Sequence, residues 1–370
     1  MNLQVPSNIS EITPYPPGKP IEELEREYGI SGSIKLASNE NPFGPSPAAL
    51  SAMQSALEKL HRYPDGSCYY LSESLSTHLG VDQSQIVFGN GSNEIIEFLV
   101  KAFVTENDEV ITSHPSFLMY QKFVQVRGGS NQVLPLKGMA HDLEKIAVLA
   151  SARTKLIFLD NPNNPTGTLI PEDQLELFLS RLPEHVIVVL DEAYIDFVED
   201  DKKYDTISLI NNVAGRCGVV CLRTFSKAYG LAGLRIGYGL MSKDIAACLH
   251  KVRQPFNVNL VAQEGARAAL ADQAFYVKTL KMTADGKRYL MAEVEKRGCT
   301  AYPSQTNFFL IDVKTDATSL YEAMLLKGVI VRSMKAYGFP QFIRISIGTA
   351  EENRRFLDCL QGALQECGNV

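Results

Sequence analysis

The segment GVVCLRTFSKAYGLAGLR, residues 218–235, decides how the rest of this chain is interpreted. Its first five residues form an apolar run typical of a buried β-strand. Lys227 follows that run among hydroxyl side chains, and Arg235 stands eight residues further on among small residues. A lysine amine with a lowered pKa forms imines with carbonyl compounds, and an arginine fork suits a phosphate ester. The segment therefore predicts an imine-forming lysine beside a phosphate site, with a polar loop and a solvated lysine as the alternative.

A second apolar run, VIVVL at 186–190, predicts a buried parallel strand that is followed by Asp191. A carboxylate at the C-terminal end of a central strand faces the crevice where open α/β sheets bind ligands. Such an aspartate can pair with a protonated pyridine nitrogen and keep a cofactor ring electron-poor. An isolated aspartate at a strand end more commonly makes a helix cap or a salt bridge.

Two turns lie where further strands would end. The turn NPNNPTG at 161–167 follows the apolar run 156–159, and GNGSNE at 89–94 joins a strand-like run to a helical one. An Asn side chain in the first turn can donate a hydrogen bond to a cofactor, and the second turn can bind phosphate through the free N–H groups of a helix N-terminus. Turn chemistry and helix capping also explain either segment taken alone. The chain has neither the third glycine of a dinucleotide fingerprint nor a P-loop.

In this order and spacing, the four segments resemble the class I/II, fold-type I aminotransferases that depend on pyridoxal 5′-phosphate (PLP). The resemblance runs over nearly the whole chain. Five further segments narrow it to the members of this family that act on L-histidinol phosphate: PYPPGKP at 14–20, LASNENPFGPSP at 36–47, RYPDG at 62–66, VIVR at 329–332 and FIRISIGT at 342–349.

The resemblance implies roles for the residues around the cofactor. Lys227 is expected to hold PLP as an imine and later to move a proton. Asp191 would pair with the pyridine N–H, and Asn164 and Tyr194 would hydrogen-bond the 3′-oxygen of the ring. Phe117 matches the aromatic residue that stacks on the ring, where the family often has Tyr.

The resemblance also implies how the phosphate of PLP is held and that two chains share each site. Tyr63 matches a tyrosine that reaches the phosphate from a partner subunit, which predicts a homodimer. The remaining phosphate contacts are expected from the backbone of Gly91, Ser92 and Asn93 and from the side chains of Thr224, Ser226 and Arg235.

Substrate contacts are implied at Tyr15, Asn39, Arg332 and Arg344. Arg344 matches the arginine that usually takes a substrate carboxylate. Because histidinol phosphate has no carboxylate, Arg344 would bind its phosphate or the carboxylate of 2-oxoglutarate in turn, with Arg332 as a second phosphate ligand. Ser333 stands where related sequences often have Pro, which weakens the local match beside Arg332.

The function implied is transamination of L-histidinol phosphate with 2-oxoglutarate in histidine biosynthesis. An aromatic or broad-specificity aminotransferase is an alternative, because its pocket must also accept a flat substrate ring. A phosphothreonine decarboxylase is another, because its substrate also carries a phosphate. A PLP-binding regulatory module without turnover is a further alternative. Retention of Lys227, Asp191, Tyr194 and Arg235 argues against that last interpretation.

The composition excludes several other classes. The chain has 370 residues, a net charge of −6, 45% hydrophobic and 21% charged residues, with no basic stripe for nucleic acid and no apolar run for a membrane span. The N-terminus has no signal-peptide pattern, so we expect a cytoplasmic protein. Its seven cysteines and six histidines show no metal-ligand spacing, and the cysteines are expected to be reduced.

The order of the runs predicts the domain organisation. Strand-like runs between residues 86 and 240 alternate with helical patterns, which predicts a mostly parallel sheet with an antiparallel edge near 237–239. The resemblance implies the α/β fold-type I architecture, with a seven-stranded sheet in the large domain. We predict an arm at 1–45 that packs on the small domain and a partner, a large PLP-binding domain at 46–245 and a smaller α/β C-terminal domain at 246–370.

Overall fold

The computed structural model describes residues 4–14, 18–211 and 217–368. Strands alternate with helices through most of these residues, as an α/β fold requires. The strands are β1 (Ile34–Lys35), β2 (Ile86–Gly89), β3 (Glu109–His114), β4 (Ser130–Pro135), β5 (Thr154–Asp160), β6 (Ile187–Asp191), β7 (Gly218–Thr224), β8 (Gly237–Leu240), β9 (Thr300–Ala301), β10 (Phe308–Asp312), β11 (Val329–Ile330), β12 (Arg332–Ser333) and β13 (Phe342–Ser346).

The helices cover the sheets and connect their strands. None of them, within the three described ranges, is long and apolar enough to cross a membrane. They are α1 (Ser7–Ser10), α2 (Ile21–Tyr28), α3 (Pro47–Ala56), α4 (Tyr69–Leu79), α5 (Ser92–Phe103), α6 (Met119–Arg127), α7 (Leu143–Leu149), α8 (Glu172–Leu179), α9 (Ser208–Asn211), α10 (Lys243–Val252), α11 (Leu260–Ala271), α12 (Gln273–Glu295), α13 (Ala317–Leu326) and α14 (Ala350–Glu366).

A seven-stranded sheet forms the large domain, in the order β2-β8-β7-β6-β5-β3-β4. All neighbours are parallel except β8, which is antiparallel to both β2 and β7. The predicted seven-stranded, mostly parallel α/β fold is therefore confirmed. The strand near 237–239 is antiparallel, as predicted, but its predicted place at the edge is wrong, because β2 lies outside β8. Gly237 allows this position, since a Cβ atom there would lie 2.4 Å from the backbone nitrogen of Ser92 in α5.

The central strands explain why the sequence shows unbroken apolar runs. Every residue of β6 is buried. Val188 and Leu190 pack into the hydrophobic cluster on one face of the sheet, and Ile187 and Val189 pack into the cluster on the other face. Because helices cover both faces, no polar residue alternates with the apolar ones. The edge strand β4, with only one buried residue, lacks such a run, and the pattern of runs did not locate it.

A four-stranded antiparallel sheet, in the order β12-β13-β10-β9, forms the small domain. One face of this sheet packs against α12, α13 and α14. Phe309 of β10, Ile345 of β13 and Phe356 of α14 are fully buried in that layer. The sheet thereby gives the C-terminal residues a core of their own.

The N-terminal arm contacts both parts of the chain. Strand β1 pairs in parallel with β11, and Leu24 of α2 is buried with Ala37, Leu325 and Ile330. Near the start of the arm, the side chain of Asn8 donates hydrogen bonds to two backbone carbonyls at the end of α6. Burial of apolar side chains therefore fastens the arm to the small domain.

We propose that the boundary between the large and small domains lies within α12 rather than at residue 245. Ala262 and Ala266 of α11 belong to the same hydrophobic cluster as Val188 of the large sheet. Leu290 and Val294, near the end of α12, belong to the cluster of the small domain. Helix α12 would then connect two separately packed cores.

Leu325→Ala should lower the free energy of unfolding by about 2–4 kcal/mol, because it leaves a cavity between the arm and the small domain. The neighbouring Leu326 is the matched control, since Leu325 is 4% exposed and Leu326 is 61% exposed. Leu326→Ala should change stability by less than about 0.5 kcal/mol. Urea unfolding of the two variants measures the difference, and equal losses would contradict the described packing of the arm.

Candidate active site

A cavity of about 390 Å³ lies at the C-terminal edge of the large sheet. Strands β5, β6 and β7 end at this edge, and α5 begins there, which is the usual place for a ligand in an α/β fold. The cavity brings together eleven of the residues that the sequence nominated: Gly91, Ser92, Asn93, Phe117, Asn164, Asp191, Tyr194, Thr224, Ser226, Lys227 and Arg235.

One end of the cavity is suited to an anion. Helix α5 begins at Ser92, directly after Gly91, which has a φ of 75°. The N–H groups of the first turn have no partner inside the helix, and the helix dipole favours negative charge there. Gly237 contributes by its lack of a side chain, because a larger residue would displace the start of α5. The backbone therefore presents donors to a phosphate group.

Side chains after β7 converge on the same end. Thr224 donates a hydrogen bond to the hydroxyl of Ser226 at 2.9 Å, and Nη1 of Arg235 lies 3.4 Å from that hydroxyl. The guanidinium of Arg235 also donates to the carbonyl of Ala232 at 3.0 Å. Two hydroxyl groups and a permanent cation thus join the α5 donors, which is a composition suited to a phosphate ester.

Lys227 supplies an amine to the middle of the cavity. Its Nζ donates a hydrogen bond to the carbonyl of Ser38 at 3.2 Å and lies 5.5 Å from the centre of the Tyr194 ring. Loss of contact with water, together with the positive charge of Arg344, lowers the pKa of Lys227 to about 8. The neutral amine, which nucleophilic or basic chemistry requires, is therefore more accessible near neutral pH than for an ordinary lysine.

Asp191 at the end of β6 provides a buried carboxylate to the same cavity. Tyr120 donates a hydrogen bond to its Oδ2 at 2.8 Å, and the backbone of Ala193 donates to its Oδ1 at 3.2 Å. Burial raises the pKa of Asp191 to about 7 against the effect of the Tyr120 bond, and the charge of Asp160 adds to the rise. A cationic N–H group placed against this carboxylate would favour its ionised form.

Asp160 holds the turn that carries Asn164. Its carboxylate accepts hydrogen bonds from the side chains of Ser116 at 2.8 Å and Asn163 at 3.0 Å, and from the backbone of Asn164 at 2.9 Å. Because Arg344 donates to Oδ1 of Asn164, the amide nitrogen of Asn164 is the atom that can donate into the cavity.

Four residues for which the sequence predicted no role also line the cavity: Ser38, Glu40, Tyr120 and Asp160. Asp160 had a usable signal, because it ends an apolar run as Asp191 does. No local sequence pattern marks Tyr120, because the carboxylate that it contacts, Asp191, lies 71 residues further along the chain.

Five nominated residues lie outside this cavity or outside the described residues. Tyr63 is 83% exposed on the surface of its own chain. Arg332 lies in β12, and Arg344 donates to the carbonyl of Ala37 at 2.8 Å as well as to Asn164. Asn39 donates a hydrogen bond to the hydroxyl of Tyr194 at 3.0 Å. Tyr15 falls outside the described residues. The roles in substrate and cofactor binding assigned to these residues stay predictions.

The cavity has a complement for each part of PLP. The N–H groups at the start of α5 and the guanidinium of Arg235 could bind its phosphate. The amine of Lys227 could react with its aldehyde, and the carboxylate of Asp191 could pair with its pyridine nitrogen. Phe117 offers an aromatic face, held edge-on by Tyr120 with ring centres 5.4 Å apart. Within the described ranges, no group of three or more His, Cys, Asp or Glu side chains is placed to hold a metal ion. Fold and cavity together are those expected of a fold-type I PLP-dependent enzyme.

The chain belongs to the aminotransferase class I and II family, which matches residues 31–360. It is 61% identical over 370 residues to the histidinol-phosphate aminotransferase of Desulfotalea psychrophila, covering all of this chain and 98% of the relative. It is 44% identical to that of Moorella thermoacetica over 356 residues, 96% of this chain and 92% of the relative. The solved structure of histidinol-phosphate aminotransferase from Sinorhizobium meliloti in complex with pyridoxal-5′-phosphate matches with a TM-score of 0.91 and 28% identity, over 99% of each chain. The predicted family, fold and cofactor are thus confirmed.

Asp191 should make the stability of the PLP-free protein depend on pH. Its pKa rises from 3.8 to about 7 on folding, so the unfolded chain releases this proton at a lower pH than the folded chain does. Stability is therefore lost as the pH rises from about 4 through 7, and Asp191→Asn should remove that loss. We expect the variant without PLP to be more stable than the parent at pH 8, by up to about 2–4 kcal/mol, and to approach it near pH 4–5.

Urea unfolding of the PLP-free proteins at pH 5 and pH 8 measures this difference. Asp358→Asn, which alters an exposed carboxylate of α14, is the control and should show no such trend. A stability difference between Asp191→Asn and the parent that is the same at both pH values would contradict the buried, proton-retaining state of Asp191.

Proposed function

We propose that this chain transfers the amino group of L-histidinol phosphate to 2-oxoglutarate, giving imidazole-acetol phosphate and L-glutamate. The observation that carries the proposal is the 61% identity, over the full length, to an enzyme of that name. The cavity supports it because an amine, a phosphate site and a buried carboxylate lie within one space. We place the activity in histidine biosynthesis in the cytoplasm.

Each residue of the cavity has a separate proposed role in the transamination. PLP, when bound, supplies an electron-poor ring that stabilises negative charge on the substrate carbon. Asp191, as a carboxylate, would hold a proton on the pyridine nitrogen and so maintain that property. Lys227 Nζ, with a pKa of about 8, could accept the proton from the substrate carbon and return it elsewhere. Asn164 and Tyr194 would hold the ring through its 3′-oxygen.

The substrate phosphate is expected at Arg332. Arg332 of β12 is directly opposite Arg344 of β13, so both side chains leave the same face of the small sheet. A Cβ atom on Gly18 would lie 3.9 Å from Nη1 of Arg332 and 3.2 Å from Oγ of Ser38, which lines the cavity. Arg332 therefore lies close to the cavity mouth, where an arginine fork could bind a phosphate or a carboxylate.

Arg332→Ala should reduce kcat/KM for L-histidinol phosphate by roughly 10- to 100-fold, because a charge-assisted contact with the phosphate is lost. Phenylalanine has no phosphate, so its turnover with 2-oxoglutarate should fall much less. Steady-state kinetics with both amino donors measure the contrast. Arg354→Ala, which removes an exposed arginine of α14, should leave both values unchanged.

The wild-type kinetics test the proposed reaction itself. L-Histidinol phosphate should be preferred over phenylalanine, tyrosine and phosphothreonine as amino donor. A preference for phenylalanine or tyrosine would instead identify an aromatic aminotransferase, and carbon dioxide release from phosphothreonine would identify a decarboxylase. If Arg332→Ala lowered kcat/KM equally for both amino donors, Arg332 would have a structural role only. The proposed reaction would still stand, because the wild-type preference tests it separately.

We further infer a homodimer in which each cavity receives the partner subunit's Tyr63. Tyr63 is 83% exposed and stacks on Phe256, with ring centres 5.0 Å apart. Within the same stretch of sequence, residues 50–70, five further large apolar side chains are at least 45% exposed, which is a high share for a surface facing only water. They are Leu50, Leu57, Leu60, Tyr69 and Tyr70. A second copy of the chain would cover this surface and bring a Tyr63 to each phosphate site.

Subunit exchange between Tyr63→Phe and Lys227→Ala proteins tests the shared site. In a mixed dimer, one site carries both lesions and the other carries neither. Activity should therefore rise above that of the unexchanged mixture, with exchange verified by mass. If Tyr63 served its own chain's site, exchange would leave the activity unchanged, and a wild-type monomer in solution would also exclude the proposal.

A further inference from the structure

A buried chain of hydrogen bonds joins the small domain to the hydroxyl of Tyr194. The backbone N–H of Asn39 donates to Oγ of Ser346 at 2.7 Å, and the Ser346 hydroxyl donates to Oδ1 of Asn39 at 3.0 Å. Nδ2 of Asn39 then donates to the Tyr194 hydroxyl at 3.0 Å. Ser346 ends β13, Asn39 belongs to the arm and Tyr194 follows β6, so the chain links three separate parts of the fold.

The donor and acceptor roles along this chain follow from the two bonds at Ser346. The Ser346 oxygen accepts from the backbone N–H group of Asn39, which can only donate. The hydrogen of the same hydroxyl is directed at Oδ1 of Asn39, 3.0 Å away, and this bond keeps the amide oxygen on the side of Ser346. The amide nitrogen of Asn39 is then turned toward Tyr194. Because the Tyr194 oxygen accepts that bond, its own hydrogen is left to donate into the cavity.

The surroundings keep this arrangement from relaxing. Asn39, Ser346 and Tyr194 are 1%, 3% and 6% exposed, so water has little access to replace the bonds. Asn39 has a φ of 54°, an uncommon backbone conformation for a residue other than glycine. Its carbonyl accepts a hydrogen bond from the side chain of Asn307 at 3.1 Å, and Leu36 accepts one from the backbone of Ser346 at 2.8 Å. The backbones of Asn39 and Ser346 are thus each held by a further hydrogen bond, so the two side chains stay within reach of each other.

We propose that Ser346 is a positioning residue that orients the amide of Asn39 and so makes Tyr194 a hydrogen-bond donor toward the cofactor. Without the Ser346 hydroxyl, the amide can turn over and present its oxygen to Tyr194. The Tyr194 hydrogen would then point at Asn39 and away from the cavity. Ser346 does not line the cavity, so its effect on the cofactor would be transmitted by these two residues.

The proposal has a spectroscopic consequence, because PLP joined to Lys227 changes its visible absorbance with pH. A hydrogen bond donated to the 3′-oxygen of PLP stabilises the anionic form of that oxygen and disfavours protonation of the neighbouring nitrogen. Loss of the bond should move the absorbance transition to higher pH. The charged groups around the Tyr194 hydroxyl are Arg344 of β13, Asp191 of β6 and Asp160 of β5, and each variant retains them.

The experiment compares the absorbance transition of four PLP-loaded proteins: wild type, Ser346→Ala, Tyr194→Phe and the double variant. Ser346→Ala should raise the midpoint by roughly 0.5–1 pH unit, the equivalent of about one hydrogen bond. Tyr194→Phe should raise it at least as much. Adding Ser346→Ala to Tyr194→Phe should cause no further shift, because the serine acts through the tyrosine hydroxyl.

Two other substitutions at the same position keep the test decisive if Ser346→Ala folds poorly. Ser346→Thr retains the hydroxyl and should keep the wild-type midpoint. Ser346→Cys is close in size but donates weakly, and its midpoint should lie between those of wild type and Tyr194→Phe. Ser33→Ala is the control, because Ser33 is also a buried serine but its hydroxyl has no hydrogen-bond partner within the described part of the chain.

An unchanged midpoint in both Ser346→Ala and Ser346→Cys would overturn the proposal. So would shifts that add fully in the double variant, since Ser346 would then act on the cofactor by another route. These outcomes are independent of the substrate, because no amino donor is present. A protein that acquires no visible absorbance from PLP would instead overturn both this proposal and the proposed transamination.

Discussion

The loss of water at the C-terminal edge of the large sheet is the constraint on which the site depends. Two carboxylates, Asp160 and Asp191, end neighbouring strands and lie in register with each other. Burying both is unfavourable unless each is hydrogen-bonded, and the structure meets this requirement differently in the two cases. Asp160 is surrounded by donors from its own turn, whereas Asp191 retains an affinity for a proton. The same loss of water lowers the pKa of Lys227, so burial shifts the pKa of the carboxyl group and that of the amine toward neutral pH.

Much of the large domain could be predicted from the sequence because its central strands are buried on both faces. Such strands appear as apolar runs, and the polar residue that ends each run lies at the ligand edge. Lys227, Asp191 and the start of α5 were found in this way. Strand β4 was missed because an edge strand needs no apolar run. The interior place of β8 was missed because it depends on pairing with β2, more than 140 residues earlier in the chain.

Contacts between distant residues set the limit of prediction for the site. Tyr120 meets Asp191, and Ser346 meets Asn39 across 307 positions of the chain. Neither pair has a local pattern, since nothing in the residues around Ser346 specifies a partner in the arm. The family resemblance nominated Asn39 as a substrate contact, whereas the structure places it against the hydroxyl of Tyr194. The family resemblance thus indicated that Asn39 lies near the site. The partner of its side chain and the direction of that hydrogen bond could be read only from the structure.

The antiparallel pairing of β7 with β8 has a consequence for how the enzyme retains its cofactor through a catalytic cycle. The turn between these strands carries both the lysine that would join PLP and the arginine that would hold its phosphate, only eight residues apart. Closing so short a loop costs little conformational entropy, and both ends are fixed by the large sheet alone. The distance between the lysine and the arginine is therefore set by the large sheet, and packing of the small domain does not enter into it. A change in the core of the small domain should alter substrate contacts before it alters this pair.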